Sequence, residues 1–110
     1  MNSESLQVID EREVLGKEFR IYGTVEKPLF LAKDVAEWIE SKNVTMMLKN
    51  IDKDEVTKQS LGGLKGECNF LTEDGLYEVL MQSRKPIAKQ FKKEVKNILK
   101  TIRKNGAYMT

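Results

Sequence analysis

Histidine is absent from this chain of 110 residues, and cysteine occurs only once, as Cys68. The lack of histidine excludes the Ser-His and Cys-His pairs of hydrolases and removes the commonest zinc ligand. A lone cysteine cannot form an internal disulfide, which is typical of proteins of the reducing cytoplasm. Carboxylates are plentiful, but no spacing singles out an acid/base pair. The sequence therefore predicts a cytoplasmic protein that is not an enzyme, with no catalytic residues, no cofactor and no metal site.

Long apolar segments are also missing. The longest runs are only a few residues, such as Leu29 to Ala32, whereas a membrane-spanning helix needs about 20. The N-terminus lacks the basic start and apolar stretch of a secretory signal. Hydrophobic residues make up 40% and charged residues 33% of the chain, the balance of a globular domain. We therefore expect one domain, residues 1–110, with residues 1–5 frayed and no membrane partner.

Two hydrophobic periods alternate along the chain. Strand-like segments, marked by alternation or by short apolar runs, are residues 6–9, 18–22, 29–32, 55–61 and 68–71. Helix-like spacing marks residues 34–39, 43–51, 72–81 and 85–104. This order predicts an α+β fold in which small antiparallel β-hairpins pack against about four helices, the last being a long amphipathic C-terminal helix.

Helix ends are signalled by individual residues. Asn43 and Thr72 are good N-caps, and Asp34 is placed to favour the start of the first helix. Pro86 suits the first position of the last helix, and Gly106 suits its C-terminal cap. Trp38 could stack on a nucleobase, but a single tryptophan beside an isoleucine is more typical of a hydrophobic core.

The last helix is divided lengthwise into an apolar face and a cationic face. At about 100° per residue, its apolar residues fall within an arc of about 120° and its cations lie opposite. Residues 84–110 carry nine Lys or Arg and one acid, Glu94, although the whole chain has a net charge of only +2. Cations that are three or four residues apart on a helix repel each other. Their accumulation on one face therefore indicates a polyanion partner. The candidate DNA-binding residues are Lys85, Lys89, Lys92, Lys93, Lys96, Lys100, Arg103 and Lys104.

Other interpretations of the charge remain open. The lysines could serve only solubility, or dock an acidic protein partner. The two short helices, 34–39 and 43–51, also resemble a helix-turn-helix, although Lys49 is the only obvious contact on the second. The glycine-rich stretch 62–66 lacks the spacing of a nucleotide-binding loop, and we expect a hairpin tip there.

Three sequence blocks carry a family resemblance. They are Phe30-Leu-Ala-Lys-Asp-Val-Ala36, then Phe70-Leu-Thr-Glu-Asp-Gly-Leu-Tyr77, then Ser83-Arg-Lys-Pro-Ile-Ala-Lys-Gln-Phe91 followed by Ile102-Arg-Lys-Asn-Gly-Ala-Tyr108. In this order and spacing the blocks resemble the Bro-N domain of phage and prophage antirepressors and of large DNA viruses.

The Bro-N resemblance implies a DNA-binding, transcription-regulating module of an antirepressor. We expect it in the cytoplasm of a bacterial host, although the sequence leaves an insect host open. It also implies that a separate C-terminal antirepressor domain, absent here, often follows in such proteins. DNA is the expected partner, with capture of a repressor protein as the alternative, and a homodimer is compatible with both. The resemblance assigns no DNA-contacting residue, so the candidate residues rest on the charge of the last helix.

Overall fold

The computed structural model describes residues 6–60 and 66–105, except for the side chain of Asn105. The expected fraying of residues 1–5, most of the glycine-rich tip and the expected cap at Gly106 lie outside the described residues. The strands are β1 Val8–Val14, β2 Lys17–Gly23, β3 Pro28–Leu31, β4 Val56–Ser60 and β5 Glu67–Thr72. The helices are α1 Ala32–Trp38, α2 Val44–Lys49, a 3-10 turn Lys53–Glu55, α3 Glu73–Gln82 and α4 Pro86–Asn105.

One antiparallel sheet contains all five strands, in the order β1-β2-β3-β5-β4. Pairing of Phe30 with Leu71 is part of the β3–β5 ladder, which joins the two expected hairpins into a continuous sheet. The α+β class predicted from the sequence is therefore confirmed, including the long last helix.

The first strand is longer than predicted. β1 continues through Asp10 and Glu13 to Val14, and a two-residue turn at Leu15 and Gly16 leads into β2. Both turn residues have positive φ, 53° and 79°, the backbone that matches the twist of a tight hairpin. β1 is an edge strand, so its charged side chains can reach solvent while its backbone pairs with β2.

The hydrophobic core lies between the sheet and the helices and is centred on Trp38. Its indole stacks on Phe91 of α4, with ring centroids 5.1 Å apart and an interplanar angle of 4°. The ring of Phe19 in β2 lies 4.9 Å from the indole. Trp38 Nε1 donates a hydrogen bond to the carbonyl oxygen of Glu18 at 2.8 Å, which satisfies the polar atom of this buried side chain. Trp38 is thus a core residue and is not available to stack on a base.

Two of the predicted helix caps form. Asn43 Oδ1 accepts a hydrogen bond from the backbone N–H of Met46 at 3.0 Å, which starts α2. Thr72 Oγ1 accepts from the N–H of Gly75 at 3.1 Å, which starts α3. Asp34 lies in the first turn of α1, but its Oδ2 is buried and accepts no hydrogen bond. Its influence on the helix is therefore electrostatic, and α1 follows β3 directly without a side-chain cap.

Candidate nucleic-acid interface

One side of α4 is buried in the hydrophobic core, and the opposite side is exposed to solvent. Its apolar residues recur at helical spacing, and together they close the core by packing against α1 and α3. The buried members are Ala88, Phe91, Val95, Ile98, Leu99 and Ile102. Since this face is fully used by the domain itself, the cations on the other side of α4 determine what the helix presents to solvent.

Seven of the eight predicted cations lie on α4 and Lys85 directly precedes it, and the eight fall into two rows along the helix direction. At about 100° per residue, one row borders the apolar face and the other points about 170° away from its centre. We call them the inner row and the outer row. The inner row consists of Lys85, Lys92, Lys96 and Arg103. The outer row consists of Lys89, Lys93, Lys100 and Lys104.

Arg103 of the inner row holds α4 against the rest of the domain. Its Nη2 lies 2.9 Å from Oε1 of Glu73 and donates to the carbonyl oxygen of Val25 at 3.0 Å. The hydrogen bond to Glu73 raises the pKa of Arg103 above its ordinary value, so the guanidinium stays charged. Glu73 Oε2 also accepts from the hydroxyl of Tyr77 at 3.1 Å. Lys96 lies over the same tyrosine ring, with Nζ 5.8 Å from its centroid.

The other two inner-row lysines are Lys85 and Lys92. Lys85 Nζ donates to the backbone carbonyl oxygen of Glu40, which ties the α3–α4 turn to the end of α1. Lys92 is half-buried. Three of the four inner-row cations, Lys85, Lys96 and Arg103, therefore contact other parts of the domain.

The outer row differs in this respect. Lys89, Lys93, Lys100 and Lys104 are exposed, and none of them makes an ion pair or hydrogen bond with another residue of the described part of the chain. From Lys89 to Lys104 the row spans about 22 Å, given a rise of about 1.5 Å per residue. Because each strand of duplex DNA advances about 3.4 Å per nucleotide, this length corresponds to about six nucleotides.

Neutral polar side chains border the outer row on its far side. Gln90 and Asn97 are exposed on the next strip of α4, and amide side chains are the common readers of adenine in the major groove. α4 thus combines a row of point charges with two groups capable of base contacts.

A helix-turn-helix formed by α1 and α2 is a less favourable DNA-binding surface than α4. α2 has only six residues, and it carries Lys49 near its C-terminal end. A recognition helix contacts bases with residues of its N-terminal part, where α2 offers Thr45 and Met46. The surface of α4 is the larger and more strongly charged candidate.

Within the described residues, no group of three or more His, Cys, Asp or Glu side chains is arranged to hold a metal ion. No described helix is both long and apolar enough to cross a membrane.

The sequence predicted all eight cations on one helix; seven of them lie on α4, whereas Lys85 directly precedes its first residue, Pro86. The sequence did not separate the inner from the outer row. One signal was available: Glu73 and Arg103 lie in two of the three blocks that resemble the Bro-N domain, and hydrogen bonds between arginine and a carboxylate are among the strong ones.

The comparisons with known proteins agree on one family. Residues 18–101 match the family described as BRO family, N-terminal domain (Bro-N). Bro-N domain-containing protein 289L of Invertebrate iridescent virus 6 is 31% identical, over 83% of this chain and 27% of that protein. Protein 019R of Invertebrate iridescent virus 3 is also described as Bro-N domain-containing. It is 29% identical, over 81% of this chain and 28% of the viral protein. No solved structure matches the chain significantly.

The chain spans little more than a quarter of the length of these curated relatives. The family match itself covers most of the chain: it extends from the second residue of β2 through α3 into α4, and it leaves out β1 and the end of α4 with Arg103 and Lys104. The chain therefore belongs to the BRO family and carries its N-terminal domain.

Proposed function

We propose that this chain is the DNA-binding module of an antirepressor-type transcription regulator, and that the outer row of α4 contacts the phosphate backbone. Membership of the Bro-N family makes it a Bro-type regulatory domain of viral or phage type. The observation that carries the proposal is the outer row itself: four exposed lysines on one helix face, without a carboxylate partner among the described residues.

The energetics support a polyanion as the counterpart. Lysines at i, i+3 and i+4 on a helix repel each other by a few tenths of a kcal/mol per pair, about 0.2–0.5. Glu94 lies on a different strip of α4 and does not interrupt the row. A surface optimised only for solubility would interleave both signs, whereas binding to phosphates turns the repulsion into attraction and releases counterions.

The two rows have different roles in this proposal. The outer row supplies affinity that depends on salt and not on base sequence, because lysine is a point charge without a fixed hydrogen-bonding fork. Arg103 of the inner row acts as a positioning residue, since its guanidinium is committed to Glu73 and Val25. Sequence preference, where the domain has one, would come from Gln90 and Asn97 beside the row.

A matched pair of variants tests the proposal. In one, Lys89, Lys93, Lys100 and Lys104 are all replaced by Gln. In the other, four exposed lysines on other elements are replaced by Gln, so that both variants lose the same charge: Lys27, Lys33, Lys53 and Lys58. Binding of a fluorescein-labelled random-sequence duplex is followed by anisotropy at low salt.

We expect the outer-row variant to lose affinity by a factor of about 100 or more, because four phosphate contacts are removed. The control variant should stay within about threefold of the unmodified chain, since only long-range attraction is reduced. Equal losses in the two variants would show that net charge, and not the outer row, governs binding, and would overturn the assignment.

A further inference from the structure

A groove of about 500 Å³ opens beside the α3–α4 turn, away from the outer row. Its apolar lining comes from the end of α1, from α2 and from α3, and consists of Ile39, Met46, Met47 and Val79. Its polar lining comes from the α1–α2 turn and from the α3–α4 turn, and consists of Glu40, Ser41, Lys42, Asn43, Gln82, Ser83 and Lys85.

Met46 is the exposed residue among the four apolar residues of this lining. The residue is 58% exposed. Met47 beside it is half-buried and packs against the core. Methionine adapts its shape to different apolar partners and is common on surfaces that bind peptides. An exposed methionine at the edge of a concave apolar surface is therefore an anchor point for an apolar side chain from another molecule.

The charge at the rim of the groove is positive. Glu40 is the only carboxylate among the lining residues, and its Oε2 is paired with Lys17 at 3.4 Å. Lys85 donates to the backbone carbonyl oxygen of Glu40, a neutral acceptor that leaves its charge uncompensated. Lys42 is exposed and has no ion pair with a described residue. A ligand that complements this rim carries negative charge next to its apolar group.

The lining favours a protein segment over an unpaired nucleobase. Binding of single-stranded nucleic acid relies on aromatic side chains on which the bases stack, and no lining residue is aromatic. Asn43 Oδ1 is already committed to capping α2, so it cannot accept a hydrogen bond freely from a base edge. Helical or extended peptides, in contrast, insert single apolar side chains into grooves of this kind.

We infer that this groove docks a short acidic segment of a partner protein. One apolar side chain of leucine or methionine size enters between Met46 and Val79, and neighbouring Asp or Glu residues meet Lys42 and Lys85. The inference does not depend on DNA binding, because no outer-row lysine lines the groove.

The test begins with random dodecapeptides displayed on phage and selected on the whole chain. Enriched peptides are synthesised with a fluorophore, and their dissociation constants are measured by anisotropy. The decisive variant is Met46→Glu, because Glu at the third position of a helix is compatible with its start. The matched control is Met81→Glu, at a methionine that is 65% exposed and does not line the groove. A third variant, Lys42→Glu, tests the charge of the rim.

We expect the enriched peptides to share an apolar residue flanked by Asp or Glu. Met46→Glu and Lys42→Glu should weaken their binding by about tenfold or more, while Met81→Glu leaves it within about twofold. Urea unfolding and circular dichroism identify any variant that has lost its fold, and Lys42→Glu then stands in for Met46→Glu.

Three results would overturn the inference. One is that selection enriches no peptide, or enriches peptides without acidic residues. Another is that binding is the same in Met46→Glu as in the unmodified chain. The third is that Met46→Glu weakens duplex binding as strongly as loss of the outer row, which would assign the groove to the nucleic-acid surface.

Discussion

The guanidinium of Arg103 lies against the carboxylate of Glu73, with Nη2 2.9 Å from Oε1. Arg103 comes from the closing sequence block and Glu73 from the block that begins α3, so the contact joins two segments that are 30 residues apart. The same guanidinium reaches Val25, in the connection between β2 and β3. This side chain therefore helps the buried apolar face of α4 to hold the helix against α3 and the β2–β3 connection, and with it the direction in which the outer row faces.

Replacement of Arg103 by Met should lower the free energy of unfolding by about 1–2 kcal/mol, through loss of a partly exposed ion pair and a charged hydrogen bond. Urea unfolding, followed by the emission of Trp38, measures this change. Lys104→Met is the matched control, because Lys104 is an exposed neighbour without a partner among the described residues. If both variants lose the same stability, Arg103 does not hold α4 in the way proposed.

Gly75→Ala should destabilise the domain, although alanine is normally the better helix residue by about 1 kcal/mol. A Cβ at Gly75 would lie 2.7 Å from the carbonyl oxygen of Glu55 and 2.9 Å from its Cβ. Because backbone must shift to make room, we expect a net loss of about 1–3 kcal/mol. Chemical unfolding of the variant checks the sign. A gain in stability would mean that α3 and the 3-10 turn pack less closely than the structure indicates.

Neutralising the outer row should stabilise the free domain. Replacement of Lys89, Lys93, Lys100 and Lys104 by Gln removes like-charge pairs on α4, each costing about 0.2–0.5 kcal/mol. The melting temperature should therefore rise at low salt, and the difference should shrink as salt screens the charges. Functional sites commonly lower the stability of the free protein in this way. A fall in melting temperature would show that the lysines stabilise the fold.

Asp34 should make stability fall as the pH rises through the range just above the ordinary pKa of an aspartate. Burial raises the pKa of its carboxyl group, and the nearby guanidinium of Arg20 offsets this only in part. Since the pKa of Asp34 is higher in the folded chain than in the unfolded chain, folding favours the protonated carboxyl group. The Asp34→Asn variant should thus have a larger free energy of unfolding than the unmodified chain at pH 7. This difference should disappear below the pKa that Asp34 has in the unfolded chain. A gap that widens toward acid pH would contradict this.

The sequence predicted most of what depends on local chemistry. The periodicity of α4, the caps at Asn43 and Thr72, and the burial of Trp38 follow from rules that act within a few residues. The β1–β2 turn was missed because Leu15 and Gly16 are not a usual hairpin pair, since leucine rarely adopts a positive φ. The charged continuation of β1 from Asp10 to Val14 was not predicted for a related reason: its pairing with β2 outweighs its low β-propensity.

The separation of the eight cations into an inner and an outer row could not be predicted from the sequence alone. Arg103 and Lys104 are neighbours of similar charge, and only the positions of Glu73 and Val25 make one a positioning residue and leave the other free. The groove depends in the same way on tertiary structure, because Lys42, Met46 and Lys85 come from three segments. Local rules contain no information on which distant segments meet.

The most direct test of the central claim is the salt dependence of duplex binding by the unmodified chain. If the outer row lies along the phosphate backbone, a plot of log K against log salt concentration should be linear. Its slope should be about −4, from about −0.9 for each of four neutralised phosphates. The slope should become much shallower when the four lysines are replaced by Gln. Absence of binding even at the lowest salt, or a slope near zero, would contradict the account.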